Sequence, residues 1–128
     1  MLVVDASAIV EGLLTRPSRP ELADRLASDE LAAPGVMHLE VHQALRGLVR
    51  SRGIREARAE EARQDYLALP LETFPHEPLV DRVWELRGAF TAYDAAYVAL
   101  SEVLGVPLVT SDRRLARAKG HRAEIELY

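Results

Sequence analysis

The chain has 128 residues, of which 48% are hydrophobic and 28% charged, with no cysteine and a formal net charge of −4. That length fits one domain with a single core. The lack of cysteine excludes disulfides and thiolate chemistry, and the acidic balance argues against a uniformly basic nucleic-acid binder. No apolar run approaches the ~18 residues of a membrane span. The opening LVVDASAIVEGLL has no basic n-region and carries Asp5 and Glu11, so it reads as a strand and a helix rather than a signal peptide, and a cytoplasmic protein is expected.

In chain order, LVVD (2–5) is a β-branched run ending at an acid, and SAIVEGLL continues at helical spacing. Pro17 and Pro20 interrupt, and ELADRLAS forms a second helix ending near Asp29. LAAP (31–34) is a short apolar segment whose proline suits the start of the next helix. That helix, 35–52, places Met37, Val41, Ala44, Leu45 and Leu48 on one stripe, with Gly53 as its stop. REARAEEARQDYLAL is a further helix ending before Pro70, LETF (71–74) a candidate strand, and LVDRVWELRGAF a helix turning Leu79, Val83, Trp84 and Leu86 inward. TAYDAAYVALSEVLG is apolar on nearly every face after Asp94 and therefore reads as a buried helix ending at Gly105. VPLVTSD is a strand, RRLARAKG a short helix stopped by Gly120, and AEIELY a final strand. Strands alternating with helices predict an α/β sandwich with a mostly parallel sheet, whose strand carboxyl ends are the usual place for ligands.

Four acids stand out against that pattern. Asp5 and Asp112 each follow a strand and precede a helix, where an N-cap explains them without any function. Asp94 lies three residues after Thr91, in a first turn where the dipole favours a carboxylate. Glu40 is internal to a helix, at the edge of its apolar stripe near Val36 and Ala44, where capping offers no explanation. Singly, each acid reads as structural. Together they carry more weight, because like charges about 4 Å apart repel by roughly 4 kcal/mol at an effective dielectric near 20. Four acids at one edge require protons or a cation, and the formal charge of −4 is as large as this set.

With oxygen ligands only, that cation is hard, Mg²⁺ or Mn²⁺, and carboxylate-held Mg²⁺ at a cleft suits phosphoryl transfer. Fifteen of the sixteen basic residues are arginine, crowded into two groups. Arg46, Arg50, Arg52, Arg55, Arg58 and Arg63 form one, and Arg113, Arg114, Arg117, Lys119 and Arg122 the other. They read either as solvated helix faces, the first compensated by Glu56, Glu60 and Glu61, or as grips for phosphates flanking the acids.

The pattern DASAIV, an acid in the third helix in HLEVHQAL, and then YDAAYVALSEVLGVPLVTSDRRLARA resembles the PIN-domain ribonucleases, most closely the VapC-like toxins of toxin-antitoxin systems. The resemblance spans nearly the whole chain, and YDAAYVALSE followed by PLVTSD is its specific part. It implies a single PIN domain over 1–128, a three-layer sandwich with four or five short strands wrapped by about seven helices. It also implies a Mg²⁺- or Mn²⁺-dependent endoribonuclease. Asp5, Glu40, Asp94 and Asp112 are then the catalytic quartet, with Asp5, Asp94 and Asp112 as the metal carriers and Glu40 completing the shell or orienting water. Ser7 and Thr110 are implied as neighbours that hydrogen-bond those carboxylates. A homodimer and a small cognate antitoxin that obstructs the site complete the expectation.

Other readings are weighed on the same residues. His38, Glu40 and His42 are not ordered as H-E-x-x-H, and Glu40 points away from both histidines on the helical wheel. A receiver-like phosphoacceptor domain needs a lysine at a late strand end, whereas Lys119, the single lysine, follows a basic helix. A non-catalytic PIN-fold module that binds RNA or protein is the remaining alternative, and no Gly-rich phosphate loop supports nucleotide binding.

Overall fold

The computed structural model describes residues 1–15 and 19–128, so Pro17 and the break expected there lie outside the described residues. Among the described residues are five strands: β1 Leu2–Val4, β2 Leu31–Pro34, β3 Leu71–Phe74, β4 Leu108–Thr110 and β5 Ile125–Leu127. Seven α-helices accompany them: α1 Ala6–Leu14, α2 Pro20–Ala27, α3 Met37–Arg50, α4 Glu56–Leu67, α5 Val80–Glu85, α6 Ala92–Leu104 and α7 Arg113–Arg117. The sheet runs β3-β2-β1-β4-β5 and every pairing is parallel. This is the α/β sandwich with a parallel sheet that the alternation of elements predicts, in the three-layer form that the family resemblance implies.

Parallel strands are covered on both faces, so their residues are apolar without alternation. Leu2, Val3 and Val4 of the central strand are completely buried, as are Leu108 and Val109 beside them. The register pairs Val3 with Ala32 on one side and with Leu108 on the other. From β1 the chain builds β2 and β3 outward in one direction and later adds β4 and β5 in the other. The strand order therefore switches between β1 and β4, and their carboxyl ends diverge into a crevice there.

Helix α6 is buried as its composition demands: Ala95 through Ser101 are all inaccessible or nearly so. Thr91 caps it by accepting a hydrogen bond from the Asp94 backbone N–H (3.2 Å), and Gly105 closes it in the left-handed conformation at φ 65°.

Four local expectations are corrected. LAAP is not a helix entry but the fully buried strand β2, with Pro34 at its last position. Beyond it the pairing with β3 continues at Gly35, whose N–H donates to Phe74 O at 3.0 Å. The stop of α3 is a Schellman closure in which Gly53 N donates to Leu48 O and Arg52 N to Val49 O. Arg52, not Gly53, takes the left-handed position, at φ 60°. The segment from Glu77 splits into a 3-10 turn, Glu77–Leu79, and the short α5, which shifts the phase of its apolar positions. Leu79 and Leu86 face the core, whereas Trp84 is 67% exposed with the Arg87 guanidinium 4.4 Å over its ring. Finally, α7 ends at Arg117, and Gly120 (φ 88°) serves the turn that follows.

Candidate active site

Each acid reaches the crevice by a local rule of its own. Asp5 is the first residue after β1 and the N-cap of α1, accepting from Ala8 N at 3.0 Å. Asp112 follows β4 and caps α7 through Arg114 N (2.8 Å) and Leu115 N (3.3 Å). Asp94 sits in the first turn of α6, and Glu40 in the first turn of α3, just after β2. All four line one cavity of about 580 Å³, together with Ser7, Val36, Leu39, Tyr93 and Tyr97.

Asp5 is the deepest of them, 5% exposed. Ser7 Oγ donates to its Oδ1 and Thr110 Oγ1 to its Oδ2, each at 2.7 Å. Thr110 is itself buried and accepts the Asp112 backbone N–H at 2.9 Å, so the loop carrying Asp112 is tied to the residue that holds Asp5. Ser7 performs the same service by accepting Ser111 N at 3.1 Å. Burial holds the Asp5 carboxyl above the usual aspartate range against the pull of the Ala8, Ser7 and Thr110 hydrogen bonds, and the Asp112 charge adds to the rise. Burial likewise raises Glu40, with Asp94 and Asp5 as additional repulsive charges, while a hydrogen bond from Tyr97 opposes the shift.

Tyr97 was not singled out from the sequence, and Arg114 was named only as one of the second basic group. Tyr97, 1% exposed, donates its hydroxyl to Glu40 Oε2 and so joins α6 to α3. Burial and the Glu40 carboxylate push the Tyr97 phenol well above its ordinary value. Its position three residues after Asp94, on the same side of the helix, was the available signal. Arg114 places Nη2 2.9 Å from Asp94 Oδ2 and 3.3 Å from Asp112 Oδ2, bridging the two carboxylates with a guanidinium.

Among the described residues no three acidic or histidine side chains come close enough to hold a metal ion. The donor set nevertheless fits a hard cation: it is all oxygen, two of its carboxyls are raised by burial and mutual charge, and a positive group already spans two of them. The histidine alternative fails on geometry. His38 Nδ1 shares a hydrogen bond with Tyr66 OH (2.7 Å), and His42 Nδ1 donates to His38 O (2.6 Å), while Glu40 turns to Tyr97. Of the first arginine group, Arg63 is taken up by Glu60 and Arg58 by Glu61 and the Leu13 carbonyl, which favours the solvated-face reading for these two.

The chain resembles known proteins over nearly its whole length. Residues 2–121 match the PIN domain. Ribonuclease VapC12 of Mycobacterium tuberculosis is 43% identical over 127 residues, covering 99% of this chain and 98% of the relative. Ribonuclease VapC1 of the same organism is 42% identical over 130 residues, covering 98% and 96%. The crystal structure of PAE2754 from Pyrobaculum aerophilum superimposes with a TM-score of 0.71 at 27% identity, covering 97% of this chain and 82% of that one. With its sheet order, its four acids on one cavity and near full-length likeness to two such proteins, the chain belongs to the PIN-domain family, in its VapC-like branch.

Proposed function

We propose that this protein is an endoribonuclease, the toxin of a toxin-antitoxin pair, which hydrolyses RNA phosphodiester bonds with Mg²⁺ or Mn²⁺ held by Asp5, Asp94 and Asp112. The observation that carries this reading is the convergence of Asp5, Glu40, Asp94 and Asp112 on one cavity at the switch point of a parallel sheet. A divalent cation there would neutralise phosphate charge and lower the pKa of a bound water. Asp5, fixed by three hydrogen bonds, supplies the rigid floor. Asp94 and Asp112 come from two separate helix starts and face each other across the Arg114 guanidinium. Glu40, held through one oxygen by Tyr97, orients the attacking water or accepts its proton. Arginine near the mouth offers contacts to RNA phosphates.

The same reading includes a homodimer, a cognate antitoxin and a cytoplasmic location. Leu39 and Tyr93, 73% and 61% exposed while lining the cavity, give an antitoxin segment apolar anchors at its entrance. No helix among the described residues is long and apolar enough to cross a membrane.

The test is incubation of the purified protein with total RNA, with and without Mg²⁺ or Mn²⁺, beside a folded Asp94→Asn variant. Metal-dependent cutting that the variant loses is the expected result. RNA retention without cutting would favour the non-catalytic binding module, and equal cutting by both proteins would assign the activity to a contaminant.

A further inference from the structure

Arg114 presents a contradiction. Its side chain is 68% exposed, yet its guanidinium lies across the two acids that the ribonuclease reading assigns to a cation. An exposed ion pair is weak and exchangeable. The backbone of the same residue is firmly placed, because its N–H caps onto Asp112 Oδ1 at 2.8 Å. The anchor is fixed while the guanidinium, at the end of a long side chain, is free to leave. Arginine is also the side chain best shaped to grip a phosphate through two parallel hydrogen bonds.

We propose that Arg114 is an exchangeable latch: its guanidinium occupies Asp94 and Asp112 in the metal-free protein, surrenders those oxygens to a divalent cation, and then binds a phosphate of the RNA. This rests on the ribonuclease reading and adds a substrate-binding residue to it. Two consequences follow from the geometry. The guanidinium and the cation compete for the same oxygens, so removing the guanidinium must tighten metal binding. The phosphate contact forms only after displacement, so the contribution of Arg114 to RNA binding must depend on the metal.

The first measurement is calorimetric titration of Mn²⁺ into the wild-type protein, Arg114→Ala and Arg114→Lys, without RNA. Arg114→Ala should bind Mn²⁺ about three- to fivefold more tightly, the change matching loss of an exposed ion pair, with Arg114→Lys between the two. The second is anisotropy of a fluorescein-labelled single-stranded RNA in a Glu40→Gln background, which leaves Asp94 and Asp112 intact and is expected to stop cutting. With saturating Mn²⁺, adding Arg114→Ala should weaken RNA binding about tenfold and lower the slope of log affinity against log salt by about 0.7. With EDTA it should change little. Unaltered or weaker Mn²⁺ binding by Arg114→Ala overturns the latch, as does an equal loss of RNA affinity with and without Mn²⁺. If the wild-type protein neither binds Mn²⁺ nor cuts RNA, the ribonuclease reading falls and the latch with it. If it does both while Arg114→Ala binds Mn²⁺ no better, the latch alone falls.

Discussion

Helix α6 carries an acid near each end, and the two are treated in opposite ways. Glu102, in the last turn, is 5% exposed at its side chain and fully paired. Arg82 grips it with two parallel hydrogen bonds at 2.7 and 3.1 Å, and the Arg122 backbone N–H adds a third at 2.7 Å. The Arg82 guanidinium, followed by Arg122, holds the Glu102 carboxyl below the ordinary glutamate range in spite of burial. Asp94, in the first turn, shares one exposed guanidinium with Asp112 and faces a cavity that holds two more acids. On the proposed ribonuclease reading, one helix thus uses one carboxylate as a fastener and offers the other to a ligand. Burial alone does not distinguish the two acids; what differs is that the fold gives Glu102 its own counter-charge, whereas Asp94 shares an exposed one with Asp112.

The largest effect that sharpens this contrast is on activity at the Asp94 end. Asp94→Asn should reduce metal-dependent RNA cutting by more than the ~10²-fold that loss of an outer metal partner costs, while the melting temperature stays within a few degrees of wild type. Added Mn²⁺ should raise the melting temperature of the wild type and do so much less for the variant, since a ligand that binds only the native state stabilises it. Equal Mn²⁺ stabilisation of both proteins would remove Asp94 from the metal site.

At the other end the effect should fall on stability. Glu102→Gln leaves the Arg82 guanidinium with only the exposed Glu85 carboxylate as a charged partner and should cost about 2 kcal/mol, a fall of roughly 4–8 °C in the melting temperature for a domain of this size, with kcat for RNA cutting nearly unchanged. The pH dependence has a definite sign. Because the folded-state pKa of Glu102 is depressed, its contribution is present above the unfolded-state value near 4.5 and is lost as the pH falls through the folded value. Wild-type stability measured by urea unfolding should therefore decline from about pH 4.5 downward, and Glu102→Gln should show a shallower decline. An identical acid limb in both proteins would mean that Glu102 does not act as a fastener.

This division was only half legible in the sequence. The order of elements, the burial of α6 and its Gly105 stop follow from composition over a dozen residues, where periodicity is a strong signal. Asp5 and Asp112 were placeable because strand, acid, helix is a local pattern. That they meet Glu40 and Asp94 depends on the β1 to β4 register and on where α3 and α6 enter, which are long-range facts that the family resemblance carried and periodicity did not. LAAP and the Trp84 segment misled for a shared reason: each element is four to six residues long, too short for a period to be read. Tyr97 went unnamed and Arg114 stood only as one of a basic group read either as a solvated face or as phosphate grips, because what matters for both is the direction of a side chain tip.

Tyr97→Phe probes the connection between the two ends, because it removes one hydroxyl from the buried middle of α6. The ring remains, so the core keeps its volume, and Glu40 loses the hydrogen bond that joins α3 to α6. We expect a fall of about five- to tenfold in kcat with KM little changed, alongside a stability change within the ~1 kcal/mol of an ordinary hydrogen bond. A loss confined to KM would assign Tyr97 to substrate contact rather than to the placing of Glu40.

The smallest expected effect lies on α5, next to the fastener itself. Arg82 and Trp84 are two residues apart on that short helix, and either could be what keeps it against α6. The geometry gives the role to Arg82, which reaches Glu102, and leaves Trp84 in solvent with its ring under Arg87. Trp84→Ala should then cost no more than the ~0.5–1 kcal/mol of an exposed cation–π contact, against about 2 kcal/mol for Glu102→Gln, when both are measured by urea unfolding in dilute protein. If Trp84→Ala is the more damaging of the two, the hold of α5 on α6 comes from apolar contact, and Glu102 becomes an accessory to packing instead of its anchor.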